Sequence, residues 1–435
     1  MTRKQRTALV CLLLSCGVSV LLGSCVKCSS PNAMLDFKGV YYETRCLLQH
    51  DDPYRPGEPL RVYQAAGGVL PQSGDGLRQN LTWNVYLPAT SIFIAPFAML
   101  PWGPAHVLWT ILTAGSLVFA GFLIWNLTAN DSPLISGALI CFILANSELL
   151  FVTGNPAGIV ISLCAVAVWC FFRNRFVWAG IVCLAVSLAI KPHDAGLVWL
   201  YFLLAGGIYR KRALQTFVLV AVLMAAACLW VSSVAPDWIG ELHSNLLAAS
   251  APGRNSDPGP ANPIYKSCPT MITDLQSTMS AFRDDPRIYN SISYLFCGAL
   301  LLVWSIRTLR TPFSQRRARL ALAAIAPLTL LVSYHRLYDA KLLMLAVPAC
   351  AMLWAERGPI RWIALLVTTA GVVMTADFPL IILMVRLRNV PVCTAGLSEQ
   401  IHAAVLTRPT PLILLAMGLF YLWIYVRRDP ERGLA

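Results

Sequence analysis

Gly154–Asp194 reads GNPAGIVISLCAVAVWCFFRNRFVWAGIVCLAVSLAIKPHD. Two apolar runs, 157–172 and 176–190, meet at a short turn that carries Arg173 and Arg175. Away from that turn each run ends at a polar break, Gly154-Asn155-Pro156 on one side and Lys191-Pro192-His193-Asp194 on the other. Runs approaching ~20 apolar residues are long enough for a ~30 Å hydrocarbon core, and basic turns mark the cytoplasmic side of a membrane hairpin. This stretch is therefore read as two transmembrane helices joined inside, with both polar breaks outside.

The pattern repeats along the chain. Of 435 residues 57% are hydrophobic and 13% charged, where a soluble domain carries about a quarter charged. Further spans are expected at 104–125, 133–152, 193–209, 213–235, 288–306, 319–334, 339–355, 360–377 and 409–426, with a first at 1–27. The fold class is an all-α polytopic membrane protein of about twelve transmembrane helices with both termini cytoplasmic. The piece 87–100, interrupted by Pro88 and Pro96, is too short and broken for a comfortable span. Either it dips in and returns, or a neighbouring segment does not cross.

The net charge of +13 resides in clusters at helix ends: Arg3-Lys4-Arg6, Arg173/Arg175, Arg210-Lys211-Arg212, Arg307 to Arg319, Arg357/Arg361 and Arg427-Arg428. Membrane orientation explains them, so a nucleic-acid partner is not expected. Most of the fourteen cysteines fall in apolar runs, where they act as small hydrophobes. Cys46, Cys268 and Cys393 fall in outer loops, where a disulfide could persist, but the sequence does not fix a pairing. The N-terminus has the form of a signal sequence, and Leu22-Gly23-Ser24-Cys25 resembles a lipobox that would lipidate Cys25; the other reading, an uncleaved first helix, suits the dozen spans that follow.

This orientation gathers the remaining polar breaks on the outer face: 28–87, 154–156, 191–194, 236–287, 334–339 and the loop around 378–408. The first loop, read as irregular with one or two short interfacial helices, opens with DFKGVYYETRCLLQHDDPY, Asp36 to Tyr54. Asp36 can accept a proton from an attacking hydroxyl, or be an ordinary helix cap. Asp51-Asp52-Pro53-Tyr54 reads as a turn, although paired carboxylates could also hold a divalent cation. Asn155 either caps a helix or faces the outer pocket. Lys191 is a cation at a span end where orientation does not predict one, and Pro192 should break the helix there. In Tyr334-His335-Arg336-Leu337-Tyr338-Asp339 a continuing helix would place His335 and Asp339 on one face. Arg336 offers a planar fork for phosphate oxygens.

In order, Asp36, Tyr41-Tyr42, Asp52-Pro53-Tyr54, Tyr86-Leu87-Pro88, Pro96, Leu100-Pro101, Gly154-Asn155-Pro156, Ala179-Gly180 and Ile190-Lys191-Pro192 resemble the motifs of glycosyltransferase family 87. Its best-known members are mycobacterial polyprenyl-phosphomannose-dependent mannosyltransferases. The sequence departs from the family at Tyr86-Leu87-Pro88, which stands for Tyr-Pro-Pro, and at Gly154-Asn155-Pro156, which stands for a Gln-bearing version.

The resemblance implies a single GT-C membrane domain over 1–435. Its expected parts are a first helix 1–27, a catalytic outer loop 28–87, a helical core 88–235, a second outer loop 236–287, C-terminal helices 288–426 and a tail 427–435. It implies a polyprenyl-phosphate sugar donor, a lipid or cell-envelope glycan acceptor, and inverting transfer of a hexose, mannose by analogy. The site faces the periplasm or exterior. Asp36 matches the family's general base and His335 a late outer-loop histidine. Lys191, Arg336, Asn155 and Asp339 are expected at the phosphate or sugar, as are Asp52, Tyr41, Tyr42 and Tyr54, the tyrosines stacking on sugar faces. No cofactor is required, and a divalent metal stays possible at Asp51/Asp52. A bacterial inner membrane is favoured because the chain lacks an endoplasmic-reticulum retrieval signal; in a eukaryotic host Asn80-Leu81-Thr82 would be a glycosylation sequon. The rival readings are a lipid-linked oligosaccharide ligase or polymerase, a lipid-linked sugar flippase, and a non-enzymatic membrane subunit.

Overall fold

In lipid every backbone polar group needs an internal partner, so a chain this apolar crosses as helices. The computed structural model, which describes residues 1–29, 33–70, 75–263, 271–377 and 396–427, is helical accordingly, with no strand among them. Six helical stretches are long and apolar enough to span by length and composition: Arg3–Cys25, Trp102–Thr128, Pro133–Thr153 with a break at Asn146-Ser147, Gly207–Ser232, Pro286–Arg310 and Pro409–Arg427. Shorter helices Ala157–Arg173 and Gln315–Val332 are buried along most of their length, while Val177–Ile190, Pro192–Leu204 and Ile360–Met374 bury one face each. The protein is an integral membrane protein.

Gln315–Val332 is the centre of the bundle. From Ala318 to Leu331 it is buried on nearly every face except Arg319, and the segment Asp339–Leu353 behind it is buried throughout. A helix apolar all round belongs inside. Small residues let the neighbours approach: a Cβ on Gly418 would sit 3.1 Å from Leu328, and one on Gly371 would sit 2.8 Å from the Met417 sulfur.

The two ends of the bundle differ in charge. At one end Gln5 donates to Ala129 O, Arg173 to Asn126 O, Arg212 to Phe171 O, and Arg316 pairs with Glu356. Arg319 pairs with Asp131 there as well. The basic clusters at 3–6, 173–175, 210–212, 307–319 and 357–361 are thus drawn to one end. At the other end Met34 N–H donates to Val152 O, Asn155 reaches Asp36, and Lys191 reaches Asp339.

The first polar segment is more ordered than its weak periodicity implied. It folds as three helices, Leu35–Leu48, Glu58–Ala65 and Asp75–Thr82. The first lies beneath the others, with Phe37, Tyr41, Cys46 and Leu47 fully buried. Pro88–Ala98 has 11 residues, about 16 Å of helix, which falls short of the ~30 Å core. Leu87 packs beside Tyr54, and the Tyr41 hydroxyl donates to Leu100 O. Both ends of this helix therefore sit by the first polar segment.

Candidate active site

Gly154 sets the geometry. It ends the short helix Glu148–Thr153 at φ +66°, and a Cβ there would lie 2.8 Å from Phe37. Only glycine holds that left-handed turn so close to a neighbour without strain. The Trp109 indole N–H donates to Gly154 O at 2.8 Å. The turn presents Asn155 to Asp36.

Asn155 then does two things. Its Oδ1 accepts from Ala157 N–H at 2.9 Å, capping the next helix, and its Nδ2 donates to Asp36 Oδ2 at 2.8 Å. The capping and pocket-facing readings both hold. Asn80 Nδ2 donates to the other Asp36 oxygen at 2.9 Å. Asp36, in the first turn of Leu35–Leu48, is thus clamped by two carboxamides from separate elements. Each carboxylate oxygen keeps a lone pair for another donor.

Asp36 opens onto a cavity of about 90 Å³ whose walls include Glu43, Asn80, Trp83, Tyr86, Asn155, Asn255, Tyr334, Arg336 and Tyr338. Arg336 donates to Asn255 O at 3.1 Å and to the Tyr334 hydroxyl. Glu43 lies two turns along from Asp36 on the same helix face and is 3% exposed. Burial pushes its carboxyl well above the usual range. The cavity has room for several waters.

Behind the cavity lies a second charged cluster. Lys191 Nζ donates to Asp339 Oδ1 at 2.7 Å and lies 3.2 Å from Asp194 Oδ2. His335 Nε2 is 3.2 Å from Asp194 Oδ1, and its Nδ1 sits 2.7 Å from Ser333 O. Asp339 Oδ2 accepts the Arg336 backbone N–H at 2.8 Å. Burial opposes a charge on His335, but the Asp194 hydrogen bond and negative charge outweigh it and hold the imidazole above its ordinary value. The helix break at Lys191 is present: Val177–Ile190 stops there and Pro192 starts the next helix.

Some expectations need correction. Helix Gln315–Val332 ends before His335, and the chain turns through 333–338 before a 3-10 helix begins at Asp339. The ladder contacts of this turn with 271–273 explain the break: Thr273 N–H donates to His335 O and Leu337 N–H to Met271 O. His335 and Asp339 meet through the cluster instead of along one helix face. Lys191 and His335 are not among the cavity walls.

Tyr41, Tyr42 and Tyr54 pack in the interior: Tyr41 against Trp102 at 5.2 Å, Tyr42 against Tyr63 at 5.1 Å, and Tyr54 with its hydroxyl on Tyr86 O at 2.9 Å. The aromatics that do face the cavity, Trp83, Tyr86, Tyr334 and Tyr338, carry no periodic signal; only their proximity to the polar breaks could have marked them. Asp52 accepts Tyr54 N–H at 2.9 Å as a turn cap, while Asp51 pairs with Arg61 at 2.7 Å. The two carboxylates serve separate partners and do not form a chelate.

His193, Asp194 and His335 bring ligand-type atoms within 4.8 Å, but the Lys191 ammonium beside Asp194 already supplies the positive charge there. Asn80, the sequon residue, has its amide inside the cavity wall on Asp36, where a glycan could not be attached without dismantling the clamp. Cys268 and Cys393 lie outside the described residues; Cys46 is buried.

Residues 84–333, more than half of the chain, match the family model of glycosyltransferase family 87. The chain belongs to glycosyltransferase family 87. The family match makes it a glycosyltransferase, which uses a sugar donor and an acceptor. No curated protein and no solved structure matches the chain. Asn155 and Lys191 of this family 87 chain fall inside the matched segment, while Asp36, Glu43 and 334–339 flank it.

Proposed function

We propose that this family 87 glycosyltransferase moves a hexose, mannose by its family resemblance, from a polyprenyl-phosphate donor to a lipid or cell-envelope glycan acceptor. The reaction takes place at the outer face of a bacterial inner membrane, within a single GT-C domain. The observation that carries the reading is the placement of Asp36, clamped by two carboxamides and facing a cavity that also holds Arg336.

In this mechanism Asp36 takes the proton of the acceptor hydroxyl. The freed oxygen attacks the anomeric carbon, the bond from that carbon to the phosphate oxygen breaks, and polyprenyl phosphate leaves as an anion with inversion. Arg336 meets the departing phosphate, the kind of preorganised electrostatics on which transferases depend. Lys191, His335, Asp194 and Asp339 act one step back. Asp339 holds the Arg336 backbone, and Lys191 holds Asp339. These four are positioning residues.

Twelve crossings with both termini inside fit the gathering of basic clusters at one end and the placement of both ends of Pro88–Ala98 by the first polar segment. An apolar groove of about 600 Å³ beside the first helix, with Lys27 and His106 among its walls and Phe151 at its side, offers a berth for a lipid chain close to the Gly154 turn. The test is transfer by purified protein from a panel of radiolabelled donors. A monosaccharide carried on polyprenyl phosphate should be consumed with release of polyprenyl phosphate. Consumption of a nucleotide sugar, or en bloc transfer of a whole glycan, would overturn the reading.

A further inference from the structure

Glu43 has no role in the fold that its surroundings explain. As a whole residue it is 3% exposed, and among the described residues its carboxyl meets no hydrogen-bond or ion-pair partner and faces the cavity. A polar group buried without a partner is costly, and native structures keep few of them. Glu43 is a wall of the cavity that Asp36 opens onto. Gly39, between the two acids on the same face, leaves the strip open: a Cβ there would meet nothing closer than 3.6 Å, with Glu43 Oε1 at 3.9 Å. Tyr54, Tyr86 and Cys46 feel the Glu43 carboxyl, Asp36 lies on the same helix, and Arg336 is a cation in the wall of the same cavity.

Resting on the transferase reading above, we propose that Glu43 is a substrate-contacting residue whose carboxyl hydrogen-bonds a ring hydroxyl of a sugar held in this cavity. Two helical turns separate it from Asp36, about 10 Å along the axis, so a sugar can reach Glu43 while its reacting end stays at Asp36. Burial pushes the Glu43 carboxyl well above the usual carboxylate range, which favours its protonated form. It then offers one O–H donor and a carbonyl acceptor, the complement of a sugar hydroxyl, which also donates and accepts. A neutral acid adds no repulsion to a phosphate in the same space. The unmet hydrogen-bonding capacity in the empty protein is what a specificity contact looks like before its ligand arrives, because a substrate lacking that hydroxyl would leave the buried carboxyl unsatisfied.

The test separates function from structure by asking stability and activity opposite questions. Glu43→Met keeps the length and removes the polar atoms. It should raise or preserve the thermal midpoint in detergent, since replacing an unpartnered buried polar group by an apolar one relieves its desolvation. It should lower kcat/KM by roughly 10-fold or more, about the value of one buried hydrogen bond to a substrate. Glu43→Gln, which keeps a donor and an acceptor, should recover most of that loss.

The rise in KM should fall on one substrate only, donor or acceptor, which identifies whose sugar is held. A deoxy analogue of that sugar should be discriminated by wild type and not by Glu43→Met. Glu43→Met as active as wild type would overturn the proposal. So would a fall in the midpoint shared by Glu43→Met and Glu43→Gln, which would make the carboxyl structural. Either failure, with wild type still consuming its lipid-phosphate sugar, removes this inference alone; a wild type that consumes none removes the reading beneath it.

Discussion

The cavity and the charged cluster behind it are built from the same kinds of residue and do opposite jobs. Around the cavity, Asp36, Glu43 and Arg336 face open space, and the neutral carboxamides of Asn80 and Asn155 hold Asp36 without cancelling its charge. In the cluster, Lys191, Asp194, His335 and Asp339 face one another, each buried to within a few per cent and each charge met by an opposite one. Polar capacity left open serves a ligand; polar capacity that is closed fixes a backbone. They are linked by the hydrogen bond from Arg336 N–H to Asp339 and by the Lys191 ammonium, which lies 5.5 Å from the centre of the Tyr338 ring.

The widest separation between the two regions is expected from Asp36→Asn and Lys191→Met. Asp36→Asn removes the proposed base while keeping its shape, so transfer should fall ~10²–10⁴-fold, the usual worth of general base catalysis, with the thermal midpoint little changed. Lys191→Met leaves Asp194 and Asp339 buried without their cation. Breaking such a pair costs about 3–5 kcal/mol, so the midpoint should drop sharply and activity should fall with it. Turnover assays and thermal unfolding of both purified variants check this. A Lys191→Met protein as stable as wild type but inactive would move Lys191 into the cavity's class and erase the distinction.

A smaller effect comes from His335, which faces Asp194, Asp339, Lys191 and His193. Its folded-state value lies above the unfolded one of about 6.5. The stability it contributes is therefore full below about pH 6.5 and is lost as pH rises through the folded value. Wild type should lose part of its thermal midpoint as pH rises above about 6.5, and His335→Asn should flatten that slope. An unaltered slope in the variant would mean that the imidazole is neutral and that Asp194 relies on Lys191 alone.

This contrast also marks how far the sequence could be read. Helix positions were legible because Pro, Arg and Asn punctuate the apolar runs: the expected 157–172, 176–190 and 409–426 appear as Ala157–Arg173, Val177–Ile190 and Pro409–Arg427. Collecting the polar breaks at one end was legible too, through the charge asymmetry of the turns. What each polar residue does there was not legible. Lys191 looks like a free phosphate ligand until the fold brings Asp339, 148 residues away, to its ammonium. Tyr41-Tyr42 looks like a sugar platform until Trp102 and Tyr63 pack against it. Glu43, one charge among several in a segment read as a polar loop, gave no signal, since a buried acid declares itself only by the partner it lacks.

The smallest effect is expected at Asp52, on the far side of the comparison, where a candidate contact proves to belong to a turn. Its Oδ1 accepts Tyr54 N–H, and its charge lies beside Glu241, whose carboxyl burial and Asp52 together push up to about 7. Asp52→Asn keeps the accepting oxygen, so the turn survives, and it removes the like charge, which relieves Glu241. The two changes oppose any large shift, and the midpoint at neutral pH should stay within about 0.5 kcal/mol of wild type, the usual range for a surface change. Glu241 with its raised value loses stability as pH climbs from about 4.5 through 7, so the variant should lose less over that window. Transfer should proceed at the wild-type rate. If Asp52→Asn instead slows transfer at an unchanged midpoint, then the site extends to the Asp52 turn, and the line between the two regions has to be redrawn there.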